Sequence, residues 1–159
     1  SPRNVFTVCE PSGDLSPRAM RFAEALRAGG VEAIVSKDMR REIWIKLLGN
    51  ICFNPSSVLT NASVADMATH ASVRDVVLKP LINEAVAVAK ALGVETSDFP
   101  TADQRLDLVK DIRHPPSMLQ DFRAGKPLET ASILEQVHAF GTSMGLVLPT
   151  MEIVMTLVK

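Results

Sequence analysis

The chain has 159 residues, about the length of one domain, with 47% hydrophobic and 22% charged residues. Seventeen Lys and Arg against eighteen Asp and Glu leave a net charge of −1. That balance excludes the basic footprint of a nucleic-acid binder and the polybasic face of a membrane-surface protein, and the apolar content excludes a disordered tail. No apolar run approaches the ~20 residues of a membrane helix. Ser1-Pro2-Arg3-Asn4 opens no apolar signal segment. A first residue of Ser rather than Met predicts a chain that is processed, tagged or a fragment.

The stretch from Asn4 to Cys9 is β-branched and aromatic and predicts a strand. Pro11-Ser12-Gly13-Asp14 is a turn. Ser16-Pro17 starts a helix, with Met20, Ala23 and Leu26 as its apolar stripe and Phe22 beside it; Gly29-Gly30 ends it. Val31 to Val35 is a second strand. Strand, helix, strand is a small βαβ-like unit, which normally belongs to a larger parallel sheet. Two strands with no others after them suggest the edge of a domain lying upstream.

From Asp38 the period turns helical. Asp38 caps a helix with the stripe Ile43, Leu47 and Ile51 and with Trp44, Leu48 and Cys52 beside it; Pro55 should kink or end it. A short helix covers Val64 to Thr69. Ser72 opens the next, along Val73, Val77, Leu81, Ala85, Val88 and Leu92, with a bend at Pro80 and a stop at Gly93. Thr101 to Gln104 fits a capping box for a helix to about Arg113, and Ser117 to Gln120 fits another, stopped by Gly125. A helix from about Glu129 to Met144 carries Ile133, Leu134, Val137, Phe140 and Met144. Pro149 precedes a last helix from about Thr150. The predicted fold class is mainly α: a multi-helix domain in which helix packs on helix.

Cys9 and Cys52 are expected as buried thiols of a reducing cytoplasm rather than a disulfide. His70, His114 and His138 stand alone, so no metal site is expected. None of the eight glycines forms G-x-G-x-x-G, so the chain lacks the usual dinucleotide phosphate cradle.

Three residues stand out. Lys46, Asn50 and Asn54 recur every fourth position, each step turning only about 40° around a helix, so all three share one face. The face lies beside the apolar stripe, where a cleft forms more readily than open solvent. One ammonium and two amides can hold an oxyanion or a carboxylate; the alternative is a solvated helix face. Ser117 is a helix cap that would also sit among free N–H groups, where anions bind. Glu129 is a first-turn acid that complements a helix dipole, or a carboxylate that anchors a ligand hydroxyl.

The run from Trp44 to Pro55 resembles the signature of the ketopantoate reductase (2-dehydropantoate 2-reductase) family, W-x-K-x-x-x-N-x-x-x-N-P. The run from Ser117 to Glu129 resembles its second motif, S-M-x-x-D with a Glu eight residues later. Gly145 to Pro149 matches the family's chain ending. The resemblance implies an N-terminal Rossmann domain for NADPH and a C-terminal helical domain of the 6-phosphogluconate dehydrogenase C-terminal-like type. Residues 1–37 would then be the edge of the Rossmann domain, and residues 38–159 the helical substrate-binding and dimerisation domain. The chain would be the C-terminal part of the enzyme, inactive alone, with NADPH bound mainly by the part upstream.

Carried over by motif, Lys46 matches the general acid, which protonates the alkoxide formed when NADPH delivers hydride to the C2 ketone of ketopantoate. Asn50, Asn54 and Ser117 match substrate-binding residues, and Glu129 matches a cofactor-binding carboxylate. The pattern departs at Val64, where family members often have Asn; Asn61 is close by but is a different position. The implied role is NADPH-dependent reduction of ketopantoate to pantoate in pantothenate and coenzyme A biosynthesis. It would be performed by a cytoplasmic homodimer with a small 2-keto acid as its partner. A paralogous reductase of another 2-keto acid, a 3-hydroxy acid dehydrogenase and a non-catalytic helical dimerisation module are the alternatives. The Trp before the Lys, the Asn-Pro pair and the Ser-Met-Leu-Gln-Asp block argue against the 3-hydroxy acid dehydrogenases.

Overall fold

The computed structural model describes residues 5–158, so Asn4 of the first expected strand lies outside the described residues. The chain divides into two compact units between Ile45 and Lys46.

In the first unit, β1 (Val5–Cys9) and β2 (Glu32–Ser36) pair in parallel, from Val5 opposite Glu32 to Cys9 opposite Ser36. Parallel neighbours need a crossover, and α1 (Pro17–Ala28) supplies it. Ser16 caps α1 by accepting from the Ala19 N–H at 3.0 Å, with Pro17 in the first turn, as the sequence predicts. The buried stripe is Ala19 and Ala23; Met20 and Phe22, expected at or beside the stripe, are 45% and 57% exposed. Ala23 lies on the expected stripe, and Ala19 takes the buried place expected of Met20. Alanines let a helix lie close on two short strands, and a Met or Phe there would hold it off.

Glu10, buried just after β1, accepts from Ser16 Oγ and from Arg18 Nε and Nη2. The Arg18 bonds foremost, then that of Ser16, hold its carboxyl down at about 2, against 4.5 when free. A depressed carboxyl stabilises the fold fully above its free value and loses that stabilisation as pH falls toward the folded one. Acid titration of unfolding should therefore show a loss of stability between pH 4.5 and about 2 that Glu10→Gln removes.

In the rest of the chain the helices follow in order: α2 (Met39–Thr60), α3 (Val64–Thr69), α4 (Ala71–Val73), a π-helical turn (Arg74–Leu78), α5 (Lys79–Ala91), α6 (Ala102–Val109), α7 (Ser117–Arg123), a second π-helical turn (Ala131–Glu135), α8 (Gln136–Ser143) and α9 (Pro149–Leu157). Asp38 Oδ1 accepts from the Arg41 N–H at 2.9 Å and caps α2 as expected. Pro55 does not end α2, which runs five residues past it. An interior proline costs about 3 kcal/mol. Leu48, Ile51, Cys52 and Phe53 are all buried, and full burial of one such large side chain is worth about 1.5–3 kcal/mol, so packing outweighs the proline. The buried stripe is Trp44, Leu48, Ile51 and Cys52; Ile43 is 53% exposed, a shift of one residue from the expected phase.

One core cluster joins α2, α3, the first π turn, α5 and α6 through Cys52, Phe53, Met67, Leu78, Ile82 and Leu106. Cys52 is a free, fully buried thiol, and desolvation pushes its pKa far up; Cys9 is free and half-buried. The bend expected at Pro80 takes the form of the π turn just before it. Widening the ladder there accommodates the missing N–H and the ring. His70, not Ser72, precedes α4. The Thr101–Gln104 capping box is formed on both sides. α6 stops at Val109 instead of Arg113; the chain turns out, and the Ile112 carbonyl accepts from the Ala65 N–H at 2.9 Å in the first turn of α3.

Two long-range devices fix the C-terminal helices. The Glu84 carboxylate of α5 accepts from the Thr150 N–H at 2.9 Å and the Met151 N–H at 2.8 Å, satisfying orphan donors of α9. Gly141 of α8 lies against α5: a Cβ there would fall 2.5 Å from Leu148 Cδ1 and 2.8 Å from Val88 Cγ2. Val137 and Gly141 therefore carry the buried face of α8, while Phe140 and Met144 are each 47% exposed. Gly141→Ala should lower stability. The helix-propensity gain of about 1 kcal/mol is outweighed by overpacking of about 1–3 kcal/mol. A thermal melt of the variant checks this, and a raised melting temperature would contradict it.

Candidate functional site

The polar face of α2 rests on a helix that is buried nearly all round. Every residue from Ile51 to Ser57 is buried. Along it exposure falls steadily, from exposed Lys46 through half-buried Asn50 to Asn54 at 6%. At 1.5 Å per residue, neighbours on this face stand about 6 Å apart along the axis. Gly49 lies beside Lys46 and Asn50, and a Cβ on it would meet nothing within 4 Å, so the space next to this face is open. An interior helix glycine costs about 1 kcal/mol relative to Ala; Gly49 is a feature the sequence reading missed.

None of the three side chains is committed to another group among the described residues. The polar contacts around them belong to the backbone and to the serines: Ser57 Oγ donates to the Asn54 carbonyl at 2.7 Å, and Thr60 Oγ1 to the Ser56 carbonyl at 2.8 Å. The fully enclosed side-chain group left without a partner in this run is the Ser56 hydroxyl, while the Asn54 amide, on a residue 6% exposed, is not so enclosed. Asn54 also precedes Pro55, where the helical conformation is disfavoured. Sequence and structure together place an unengaged amide where the backbone ladder is interrupted.

Ser117 is not the cap that the sequence suggests. Pro116 occupies the cap position, with φ −55° and ψ 156°, and Ser117 is the first helical residue. Gln120 does not close a box with it; its Nε2 donates to the Pro115 carbonyl at 2.9 Å. Two consecutive prolines fix the entry to α7, so the serine is relieved of capping. Its exposed hydroxyl has no partner among the described residues.

Glu129 is exposed at the start of the helical stretch that carries the second π turn. Its carbonyl accepts from the Ile133 N–H at 3.2 Å and from Ser132 Oγ at 3.3 Å, so its backbone begins the helix while its carboxylate stays outward. The α2 helix brings Lys46, Asn50 and Asn54 together; among the described residues no hydrogen bond joins Ser117 or Glu129 to them. Val64, the position of the departure noted above, is buried in the core cluster at the start of α3, so it presents nothing to a ligand. An open cleft of about 670 Å³ lies elsewhere, lined by Phe99, Pro100, Gln104, Asp107 and Leu108 among others, and none of the five candidate residues lines it. No helix among the described residues is long and apolar enough to cross a membrane.

Residues 38–159 match the family model described as the C-terminal domain of ketopantoate reductase (PanE/ApbA). A 2-dehydropantoate 2-reductase of Mesorhizobium japonicum is 38% identical over 160 residues, covering 97% of this chain and 47% of that protein. A 2-dehydropantoate 2-reductase structure from Geobacter metallireducens superposes with a TM-score of 0.84 at 27% identity, over 96% of this chain and 52% of the other. One from Methylococcus capsulatus gives 0.81 at 28%, over 95% and 48%. The chain thus spans about half the length of these relatives.

Asn is a poorer helix former than Leu by roughly 0.5 kcal/mol. Asn54→Leu, similar in volume, should therefore raise the melting temperature by about 1–2 °C. A lowered melting temperature would mean that Asn54 is a structural residue.

Proposed function

The chain belongs to the ketopantoate reductase family, and on that premise we propose that it forms the substrate-binding part of an NADPH-dependent reductase of 2-dehydropantoate. Residues 38–159 are the helical domain in this reading, and residues 1–37, with their parallel strand pair, are the edge of a dinucleotide-binding domain. The observation that carries it is the α2 face: one ammonium and two amides, on residues about 6 Å apart along the helix axis and without hydrogen-bond partners among the described residues.

The chemistry follows from what each group can do. Lys46 offers three N–H donors to the C2 oxygen of a 2-keto acid and stabilises the charge that develops there. A reduced nicotinamide cofactor supplies the hydride to C2. As the C–O bond becomes an alkoxide, Lys46 Nζ gives it a proton and leaves a neutral amine, which is recharged from solvent at its exposed end of the face. Asn50, Asn54 and the Ser117 hydroxyl hold the carboxylate and hydroxyl ends of the acid. Burial of Asn54 strengthens its hydrogen bonds by excluding water. Glu129 is the one carboxylate of the set and is assigned to the cofactor side. In this reading the pyrophosphate is held mainly by the rest of the dinucleotide-binding domain.

Cofactor and pathway rest on the same reading. NADPH rather than NADH, pantoate as product and a place in pantothenate and coenzyme A synthesis are proposed for the whole enzyme, with a cytoplasmic location. A homodimer is proposed because apolar side chains such as Val147, Ile153 and Leu157 are 59–85% exposed.

The test is NADPH oxidation by the full-length gene product with ketopantoate. Turnover is expected, and Lys46→Ala should lower kcat by about 10²–10⁴-fold while NADPH affinity is kept. Light scattering of the same preparation should give a dimer mass. Full activity in Lys46→Ala would remove the general-acid assignment. NADPH binding without turnover would replace ketopantoate by another 2-keto acid.

A further inference from the structure

Two separate segments carry the proposed substrate contacts, and one side-chain pair ties them together. Asn61 follows directly on α2 and takes a φ of +51°, the left-handed region, as no other described non-glycine residue does. Its Oδ1 accepts from Arg123 Nη2 at 2.7 Å and Nε at 3.2 Å, and its carbonyl from Nη2 at 3.5 Å. Arg123 is the last residue of α7, and Ser117 is the first. Six helical steps separate them, about 9 Å.

The buried residues of α7, Met118 and Leu119, both lie in its first turn. Phe122, near the other end, is 52% exposed. Core packing thus anchors one end of the helix and leaves the other to Arg123. A helix held at one end can swing; held at both, it has one direction. A guanidinium fork on a single amide oxygen fixes direction better than a lone ammonium would. Glycine is the ordinary residue for a left-handed helix stop. Asn61 keeps that stop and adds an acceptor, which a purely terminating role does not need.

We propose that Asn61 and Arg123 are positioning residues that lock α7 to the end of α2 and so hold the Ser117 hydroxyl in register with the Asn50–Asn54 face. This rests on the reading of Ser117 and α2 as one substrate site. The pair touches neither substrate nor cofactor; it acts through Ser117.

The experiment uses the full-length gene product with Asn61→Gly, which keeps the left-handed stop and deletes the acceptor, and with Arg123→Gln and Arg123→Lys. Amide hydrogen exchange is read first. All three variants should speed exchange across residues 118–123 while α5 stays protected. Kinetics with ketopantoate are read second. KM should rise about tenfold, on the scale of one charged hydrogen bond, with a much smaller change in kcat. The Lys variant should not rescue it. In a Ser117→Ala background, Arg123→Gln should add little, because residues acting through one group are not additive. Unchanged exchange in α7, or a KM effect that persists in full in that background, would overturn the proposal. If the wild type turns over no 2-keto acid, the substrate reading falls, and the exchange result alone decides whether the lock exists.

Discussion

The buried run from Ile51 to Ser57 constrains the rest of the larger unit. A helix enclosed on every side cannot hide polar groups from their consequences: each must find a partner or face an opening. Ser57 solves this locally by donating to the Asn54 carbonyl. The Ser56 hydroxyl, fully enclosed, finds no partner; the Asn54 amide, also unpaired among the described residues, is less enclosed. The same enclosure lets α2 run through Pro55, since packing replaces what the backbone ladder loses. An unusual helix and an unusual side chain therefore have one cause. The core builds a rigid rod through its centre, and the rod's polar edge is presented rather than absorbed.

How much of this could be read from residue order depends on the distance over which each feature is decided. Ser16, Asp38 and Thr101 act within one turn, and all three cap the helices they were expected to cap. The parallel pairing of β1 and β2 also follows from local pattern, because strand, helix and strand in about 35 residues have few other solutions. Phase is harder. α2 buries a face one residue away from the expected one, with Trp44 inside and Ile43 outside, and in α1 Ala19 takes the place expected of Met20 beside the correctly expected Ala23. Neighbouring stripes on a helix are both apolar here, and the choice falls to the partner surface, which periodicity does not see. Gly141 is the clearest case: its value lies in its close approach to Val88, which is far away along the chain, and to Leu148.

The candidate site divides in the same way. The spacing of Lys46, Asn50 and Asn54 is a property of one helix and was visible at once; which of them is buried was not. Ser117 was legible as a residue and misread as a cap, because Ser-x-x-Gln is a good local signal that two prolines override. That correction bears on function. A hydroxyl spent on capping has little left for a ligand, and one displaced into the first turn is free to donate and accept. The family resemblance assigns Ser117 a ligand while its local sequence argues for a cap; the structure places the cap at Pro116.

Stability and chemistry pull α2 in opposite directions. Leucine in place of Asn54, alanine in place of Gly49 and a longer apolar side chain in place of Asn50 would each make a better helix in a tighter core. The chain instead keeps a glycine, two poor helix formers and a proline within seven consecutive residues, Gly49 to Pro55. The cost is spread over the packing of α3, α5 and α6 against the same helix, in the cluster of Cys52, Phe53, Met67, Ile82 and Leu106. In the proposed reading that foundation holds one ammonium and two amides in place before the substrate arrives, which is how binding and catalytic groups work best.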